Sequence, residues 1–243
     1  MNNEKIKIKP STLLYPLPAV MVTAGTVENS NIITIAWTGI INTDPAILYI
    51  SVRKSRHSHA MLSEAGEFVI NLTTEALARA TDFSGVRSGR DFDKAKEMGL
   101  TLIPGKTTNA PMIAESPINL ECKVMEVREY PTHDMFIAEV VDAHISAEFV
   151  NENGSYDFGR MNLLAYNHGG YYGLDDEDMG RFGFSVMKEK TKRRKEKEER
   201  GARRQAMRRN SVKTQSEQKG VFNSKPKHNA KKAFNSKPQS NKN

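Results

Sequence analysis

The sequence is poor in cysteine and tryptophan, with one of each among 243 residues. The lone Cys122 excludes an intramolecular disulfide, and the alternating apolar pattern around it is typical of a half-buried thiol on a strand. No apolar run approaches the roughly 20 residues that a membrane-spanning helix requires. Residues 1–9 also lack the apolar core of a signal peptide. We therefore expect a soluble, cytoplasmic protein that has no membrane partner.

Several catalytic signatures are also missing. The chain has no Gly-x-Gly-x-x-Gly and no Gly-x4-Gly-Lys-Ser/Thr, which argues against Rossmann and P-loop nucleotide sites. It has no Gly-x-Ser-x-Gly, no His-Glu-x-x-His and no Cys-x-x-Cys. His57 and His59 could share a metal ion, but no third ligand lies near them in the sequence. We therefore expect no metal site, and no catalytic residue can be named.

Charge divides the chain into two parts. Residues 188–243 carry 20 Lys and Arg against 5 Asp and Glu, whereas residues 1–187 carry 16 against 24. The net charge is therefore +15 in the C-terminal part and −8 in the rest. The C-terminal part has few apolar residues and contains Phe-Asn-Ser-Lys-Pro twice. We predict a folded domain over 1–187 and a basic, low-complexity, disordered tail over 188–243.

Short runs rich in Val and Ile, bounded by Gly, Pro, Asn or Asp, predict strands across the first 150 residues. The expected strands are 19–23, 32–37, 47–52, 68–72, 118–127 and 136–145. Helical patterns are few and short, at 59–65, 75–83 and 91–98. Residues 130–133 connect the last two strands as a hairpin. Evenly spaced strands with rare helices favour a mainly β fold, an antiparallel barrel, over a doubly wound sheet.

Residues 161–187 differ from the preceding strands because tyrosine and glycine concentrate there. Tyr166, Tyr171 and Tyr172 combine large apolar area with a polar tip, which suits an interface. We expect an irregular segment that lies against the body or against a partner subunit.

Cations gather where the third predicted strand ends. Arg53, Lys54 and Arg56 are followed by Ser58, which is well placed to cap a helix over 59–65. Cations, a hydroxyl and a helix N-terminus together form an anion site, and phosphate is the anion that suits them best. The alternative interpretation is an ordinary solvated loop. The small residues before this strand, Ala36, Thr38 and Gly39, leave room for a flat ring beside the backbone.

Three other features permit two interpretations each. Residues 82–94 contain two glycines and two serines, so they either offer backbone N–H groups to a ligand or simply join two helices. His133, at the hairpin, is either catalytic or a structural or exposed residue. Trp37 either packs in the core or stacks on a ring.

Taken together, these residues resemble the flavin reductase-like FMN-binding split-barrel family, particularly its flavoredoxin branch. The resemblance runs from about Pro16 to Ser185. It rests on Asn31-Ile-Ile-Thr-Ile-Ala-Trp-Thr-Gly, Ile50-Ser-Val-Arg-x-x-Arg-x-Ser, Gly85-Val-Arg-Ser-Gly-Arg-Asp with Lys94, Leu120-Glu-Cys, His133-Asp-Met-Phe-Ile-Ala-Glu-Val and Tyr171-Tyr-x-Leu. It implies a six-stranded Greek-key split barrel that binds FMN as a homodimer, with the flavin near the interface.

The resemblance also implies the residues that contact FMN. The isoalloxazine would be lined by Thr34, Ala36, Trp37 and Thr38, and the site would continue along Ser51, Val52 and Arg53. The phosphate would be held by Arg56 and Ser58, and the flavin would be approached by Ser88, Gly89, Arg90 and Lys94. This chain departs from the family pattern at Lys54, where proline is common, in the acidic run 175–178, and in its basic tail.

Three functions fit these observations. The first is an FMN-dependent oxidoreductase that takes hydride from NADH or NADPH and passes electrons to free flavin, a metal chelate or a protein. Because the flavin carries this chemistry, no general base is required. The second is a flavoredoxin-like electron carrier without direct NAD(P)H turnover. The third is a polyanion- or RNA-associated binding protein that acts through the tail.

Overall fold

The structure, a computed structural model, describes residues 3–174, 179–180, 182–188, 191, 193–194 and 197. The chain divides into two units, Met1–Asp178 and Met179–Asn243. Within the described residues, no helix is long and apolar enough to cross a membrane. The second unit contains a turn of 3-10 helix at Phe184–Val186. The prediction of a disordered tail concerns residues that lie, apart from a few, outside the described part, so it stays a prediction.

A seven-stranded antiparallel sheet forms the body of the first unit, in the order β3-β2-β6-β9-β10-β5-β4. Its strands are β2 (Val20–Gly25), β3 (Ser30–Ile35), β4 (Thr38–Asn42), β5 (Ile47–Arg53), β6 (Glu67–Asn71), β9 (Ile118–Glu129) and β10 (His133–Ile145). The mainly β class is confirmed, and so is the 130–133 hairpin, where the amide of Tyr130 donates to the carbonyl of His133 at 2.9 Å.

The remaining elements surround this sheet. A three-stranded sheet has the order β1-β11-β12, and β7 pairs with β8. Their bounds are β1 (Leu17–Pro18), β7 (Leu102–Ile103), β8 (Met112–Ile113), β11 (Leu164–Asn167) and β12 (Gly170–Gly173). The helices are α1 (His57–Ala65), α2 (Ala78–Val86) and α3 (Lys94–Met98). Turns of 3-10 helix lie at Glu75–Leu77, Ala147–Phe149 and Gly159–Met161.

Strand β2 is buried on both of its faces, and the hydroxyl of its one polar side chain, Thr23, donates to the carbonyls of Val69 and Pro111. Val20 and Val22 belong to the main core together with Leu62 of α1. Met21 points the other way, into a second cluster that contains Leu77 and Ala80 from the segment before and within α2. Successive side chains of a strand point to opposite faces, so burial on both sides favours a nearly continuous apolar run. This packing fixes the helices against the strands that carry the site.

The structure corrects several expected boundaries. Strand β4 was not expected, because its exposed isoleucines directly follow β3 without a clear break. Helix α1 begins two residues before the expected start, and α3 begins at Lys94 instead of residue 91. Both helices end at a glycine with positive φ, Gly66 and Gly99, as the αL C-cap predicts.

The segment 161–187 is more regular than expected over its described part. It holds the β11–β12 hairpin, which pairs with β1. The amide of Leu164 also donates to the carbonyl of Thr73 at 3.1 Å. Its tyrosines Tyr166 and Tyr171 face each other across the hairpin, with ring centroids 5.6 Å apart. This part of the segment therefore lies against the first unit's own body.

Cys122 lies in the main core and is fully buried, not half-buried as expected. Burial raises the pKa of its thiol to about 12, so the thiolate is scarce at neutral pH. The cysteine is a structural residue of β9.

A buried carboxylate on the same strand organises a surface loop. Glu121 has no exposed side-chain surface and accepts hydrogen bonds from the amides of Lys106, Thr107 and Thr108 at 2.7–2.9 Å. The hydroxyl of Thr108 and Nε2 of His144 complete the set at 2.9 and 2.7 Å. Burial alone would raise the pKa of Glu121, but these hydrogen bonds lower it to about 2. With its oxygens so engaged, the carboxylate holds the loop and does not need a metal ion.

Candidate functional site

Helix α1 begins directly after the loop that leaves β5. Its N-cap is Arg56, whose side chain makes no capping hydrogen bond, and its first turn contains no acidic residue. The amide of His59 donates to the carbonyl of Arg56 at 3.0 Å, which leaves the amides of His57 and Ser58 for an anion. The expectation that Ser58 caps this helix is wrong, because Ser58 lies inside the first turn. Its buried hydroxyl instead accepts from Nδ2 of Asn31 on β3 at 2.7 Å.

Lys94 is the most unusual charge near this loop. It is 4% exposed, and its ammonium donates to the carbonyls of Ile32 at 2.6 Å and Ser84 at 2.9 Å. Burial, assisted by the positive charge of Arg56, lowers the pKa of Lys94 to about 8. A buried ammonium is costly unless an anion accompanies it. Within the described residues, no carboxylate forms an ion pair with it.

A second buried polar group lies beside Lys94. The hydroxyl of Ser84, on the inward face of α2, is buried and has no hydrogen-bond partner among the described atoms. Buried hydroxyls are nearly always hydrogen-bonded, so an unpartnered one points to a missing ligand. Gly89 lies opposite, where a Cβ would clash with the side-chain amide of Asn31. Any larger residue at position 89 would displace Asn31 and change the shape of this wall.

These groups line a cavity of about 250 Å³, which we call the cation cavity. Among the described residues that line it, four are cations and none is a carboxylate. The lining consists of Asn31, Ile33, Arg53, Ser55, Arg56, His57, Ser58, Ser84, Arg87, Ser88, Gly89 and Lys94. Arginine and serine side chains with free backbone amides are the usual ligands of phosphate. The lining of the cation cavity therefore has the chemistry that suits a phosphate.

A larger cavity of about 380 Å³ adjoins it and shares Ile33, Arg53 and Arg56 with it. We call it the ring cavity. One wall carries Trp37, whose ring centroid lies 4.5 Å from that of His133. Trp37 is 37% exposed, so the alternative of core packing is wrong for it.

The lining of the ring cavity also includes Tyr166 and Tyr171 from the β11–β12 hairpin. Burial first, and then the charge of Asp82, raises the pKa of Tyr171 to about 12, so this phenol stays protonated. Burial and the charge of Arg53 lower the pKa of His133, which favours the neutral imidazole. Aromatic walls with few charges suit a planar ring.

The buried carboxylate of Asp134 holds the connection between β5 and α1 in place. Oδ2 of Asp134 lies 2.7 Å from Nε2 of His59, and Oδ1 lies 3.2 Å from Nζ of Lys54. Burial would raise the pKa of Asp134, but hydrogen bonds from His59 and Lys54 lower it. Because His59 is engaged with Asp134, it does not join His57 as a metal ligand. These contacts link β10 to Lys54 and His59, on either side of the loop between β5 and α1.

The structure brings most of the predicted site residues to these cavities. The cation cavity includes Arg53, Arg56, Ser58, Ser88, Gly89 and Lys94, and the ring cavity includes Thr34, Ala36, Trp37, Ser51, Arg53 and Arg56. Three predicted residues line neither cavity. Val52 lies in the main core, the hydroxyl of Thr38 donates to the carbonyl of Tyr49 at 2.6 Å, and Arg90 is exposed.

Some lining residues were not predicted individually. Asn31 lines the cation cavity and donates a hydrogen bond to Ser58. Ser84 and Arg87, from the end of α2, line it as well. The segment 82–94 had been singled out, but the phase of α2 decides which of its side chains face inward. Ala80, Thr81 and Ser84 are its buried residues, at the spacing of one helix face. This spacing is the sequence feature from which the inward position of Ser84 could have been predicted.

A mainly antiparallel barrel that carries a phosphate cavity beside a ring-sized cavity defines a protein that binds a phosphorylated planar ligand. The chain belongs to the family of the flavin reductase like domain, whose profile matches residues 12–175.

Relatives of known structure and sequence agree with this assignment. The flavoredoxin of Desulfovibrio vulgaris (Miyazaki F) is 27% identical with a TM-score of 0.70, over 76% of this chain and all of that one. The flavoredoxin of Methanosarcina acetivorans is 29% identical with a TM-score of 0.69, over 76% and 100% of the two chains. An uncharacterized protein of Pyrococcus abyssi is 29% identical over 154 residues, which are 63% of this chain and 87% of the relative.

Proposed function

We propose that this protein is an FMN-dependent oxidoreductase that accepts hydride from NADH or NADPH and passes electrons to a flavin, a metal chelate or a protein. Family membership supports a flavin-based activity in general. The observation that carries the proposal is the buried ammonium of Lys94, which forms no ion pair within the described residues and lies in a cavity that adjoins the ring cavity. FMN offers the phosphate and the planar ring that these two cavities require.

In this proposal the chain binds and orients the cofactor. Arg56, Ser58 and Lys94 hold the phosphate, and the hydroxyl of Ser84 gains the hydrogen bond that it lacks. Trp37 and Tyr171 flank the ring and exclude water from it. When bound, FMN supplies hydride acceptance and onward electron transfer. No residue of the chain has to move a proton for hydride transfer, in agreement with the absence of a catalytic dyad from the sequence.

The first experiment is the visible absorption spectrum of the purified or FMN-reconstituted protein, repeated after anaerobic addition of NADH or NADPH. We expect oxidised flavin bands that bleach on addition of the reductant. Absence of flavin bands after reconstitution would contradict FMN binding itself.

The second experiment tests the phosphate contact. Charge-assisted hydrogen bonds contribute about 1.5–3 kcal/mol each, so the double variant Arg53→Gln/Arg56→Gln should bind FMN at least about tenfold more weakly. Riboflavin, which lacks the phosphate, should bind the double variant and the parent about equally. Equal weakening of both ligands would show that the arginines do not contact the phosphate.

The second candidate function is a flavoredoxin-like electron carrier, and the similarity to two flavoredoxins favours it. A carrier would hold FMN but react slowly with NAD(P)H. Flavin bands that persist under anaerobic NADH and NADPH, yet bleach with dithionite, would support the carrier over the reductase.

We also propose that the protein is a homodimer in which β4 contributes to the interface. Ile40 is 86% exposed on this edge strand, and Ile41 beside it is also exposed. Exposed apolar residues on an edge strand are typical of a surface that pairs with another chain. The variant Ile40→Lys should shift the mass measured by light scattering towards the monomer. The exposed-site control Lys96→Gln should keep the parent mass.

A third candidate activity belongs to the tail. The net charge of +15 over 188–243 favours salt-sensitive contact with RNA or another polyanion. Full-length protein should bind RNA at low salt and release it at high salt, whereas the truncated chain 1–187 should not bind. The truncated chain should keep its flavin. Tight RNA binding at high salt would instead identify the tail as a dedicated recognition element.

A further inference from the structure

The chain begins with an extended arm that its own body leaves uncovered. Residues 3–14 form no helix or strand, and each of them is exposed. Ile6 is 85% exposed and Leu14 is 80% exposed. Within the described part of the chain, no hydrogen bond, ion pair or ring contact joins residues 5–14 to another residue. Apolar side chains left uncovered in this way are typical of a surface that another molecule covers.

The first part of this arm alternates cations with apolar residues. The run Lys5-Ile-Lys-Ile-Lys9 has the period of two that is typical of a strand with one apolar face. Pro10 ends the run because it has no amide to donate. A strand needs the edge of a sheet, since even an isolated pair of strands is only marginally stable in water. The family profile begins at residue 12, so this run lies outside the part that the family shares.

Strand β12 offers an edge that complements this run. It pairs with β11 on one side and with no described strand on the other, and Tyr172 and Leu174 are exposed there. The carboxylate of Glu75 lies against Gly173, where a Cβ would clash with Oε1, and it forms no ion pair among the described residues. The acidic residues 175–178, which lie outside the described residues, follow β12 in the sequence. An apolar edge with free negative charge suits a strand of isoleucines and lysines.

The other sheet edges suit the arm less well. Helices α2 and α3 pack against β3. Strands β1, β7 and β8 have two residues each, and β4 carries no charged residue. At the end of β9 that extends beyond β6, Glu126 and Glu129 already have cationic partners. Within the described part of the chain, β12 is thus the edge that combines exposed apolar side chains with an unpaired carboxylate.

We propose that residues 5–9 of one chain add as a strand to the edge of β12 in a second copy, so that two copies exchange their arms. In its own chain the arm is exposed and leaves β12 unpaired. Tyr15, where the arm joins the body, packs against Tyr166 at 6.0 Å and His168 at 5.5 Å. The arm therefore leaves the body beside the turn of the β11–β12 hairpin. The same surface thus carries both the arm and its acceptor, as a two-fold contact requires.

This arm contact adds to the homodimer proposed through β4 and does not depend on flavin chemistry. Tyr171 of β12 lines the ring cavity. The arm of one copy therefore supports a strand that forms part of the site of the other copy.

The test introduces pairs of thiols into the full-length chain and oxidises them. The native thiol of Cys122 is buried, so it does not compete. The variants Ile6→Cys/Tyr172→Cys and Ile8→Cys/Tyr172→Cys place both thiols on the apolar side of the contact, within the reach of a disulfide. The control Lys7→Cys/Tyr172→Cys places one thiol on the opposite face of the arm strand. Non-reducing electrophoresis and mass spectrometry of the linked peptides give the readout.

We expect at least one isoleucine variant to form a covalent dimer whose linked peptides join the arm of one chain to β12 of the other. The Lys7 control should form little of it. A disulfide within a single chain would assign β12 to the arm of its own copy and overturn the proposal. Equal linking in all three variants, or linking in none, would overturn it as well.

Sedimentation of proteins without introduced thiols measures what the contact contributes to association. Ile6→Ser/Ile8→Ser should raise the dimer dissociation constant at least about tenfold, because two isoleucines lose their burial. Met125→Ser, at an exposed apolar residue of β9, should leave the constant unchanged. Glu75→Gln should raise it about twofold to fivefold at low salt and have no effect at about 0.5 M salt, where charges on the surface are screened.

The same measurement separates the arm from β4. If Ile40→Lys dissociates the dimer while Ile6→Ser/Ile8→Ser leaves the dissociation constant unchanged, β4 alone holds the two copies and the arm proposal is wrong. If only the arm variant weakens the dimer, the arm proposal holds and the β4 interface fails.

Discussion

Glu121 and Lys94 are both buried charged residues, yet their surroundings are opposite. Glu121 accepts five hydrogen bonds from its loop and from His144. Lys94 donates to two backbone carbonyls and has no described anionic partner. Hydrogen bonds lower the pKa of Glu121 and keep it charged, whereas burial lowers the pKa of Lys94 and works against its charge. A satisfied buried charge stabilises the fold, and an unsatisfied one marks a binding site.

The largest effect is expected from Glu121→Gln. The amide cannot accept all the hydrogen bonds of the carboxylate, so the free energy of unfolding should fall by about 3–5 kcal/mol. Urea denaturation of the parent and the variant measures this difference. Glu126→Gln, which breaks only an exposed pair with Arg128, should cost less than about 1 kcal/mol. Equal costs for the two variants would contradict a structural role for Glu121.

The pKa of Glu121 also predicts how stability responds to acid. Its pKa of about 2 lies below the ordinary value of 4.5, so its contribution is complete above pH 4.5 and is lost as the pH falls towards 2. Glu121→Gln should therefore show a shallower loss of stability between pH 5 and pH 3 than the parent. A parallel pH dependence for both proteins would show that other groups dominate.

The second effect concerns Lys94→Met. This change removes an ammonium that has no ion-pair partner among the described residues, so the free energy of unfolding should stay within about 1 kcal/mol of the parent. FMN affinity should nevertheless fall by about tenfold to a hundredfold, since a charge-assisted phosphate contact is lost. Titration with FMN and with riboflavin separates the phosphate contact from the ring contact. A large loss of stability without loss of FMN affinity would make Lys94 a second structural charge.

The pH dependence of FMN binding is the third effect. Free Lys94 has a pKa of about 8, and a bound phosphate should raise it. Above pH 8 the protein must then take up a proton to bind FMN, so affinity should fall about tenfold between pH 7 and pH 9. Lys94→Met should lose this dependence. An unchanged dependence in the variant would assign the proton to another group.

The smallest effect is expected from Gly89→Ala. A Cβ at this position would clash with the side-chain amide of Asn31, which supports Ser58 in the cation cavity. FMN affinity should fall roughly threefold to tenfold, comparable to one weakened hydrogen bond. Gly99→Ala, at a glycine where a Cβ meets nothing, should change stability through its positive φ but not FMN affinity. An unaffected Gly89→Ala would show that Asn31 adapts freely.

The strands of the barrel could be predicted because buried strands require apolar residues, which form short apolar runs in the sequence. All six expected strands occur, with boundaries shifted by a few residues. Strand β4 was not predicted because Ile40 and Ile41 lie on an edge strand and are exposed. The hydrophobic pattern alone therefore does not separate β4 from β3. The short strands β1, β11 and β12 depend on pairing between distant parts of the chain, which periodicity does not report.

The site was predictable where charge concentrates in a short stretch. Arg53 ends β5 and Arg56 directly precedes α1. Because these residues are close in the sequence, their proximity to the helix N-terminus could be predicted. Lys94 joins them only because α2 and α3 pack against β3, so its burial is a tertiary property. The sequence does not show that the buried hydroxyl of Ser84 lacks a described hydrogen-bond partner. This property depends on how α2 packs against the rest of the fold.

The position of Trp37 has a practical consequence. It is the single tryptophan of the whole sequence, and it lies in the wall of the ring cavity beside His133. All indole fluorescence of the protein therefore originates at this wall, with no background from the tail. A flavin ring within contact distance would quench this emission by energy transfer. The protein thus carries an intrinsic optical probe that reports occupancy of its own site without a label.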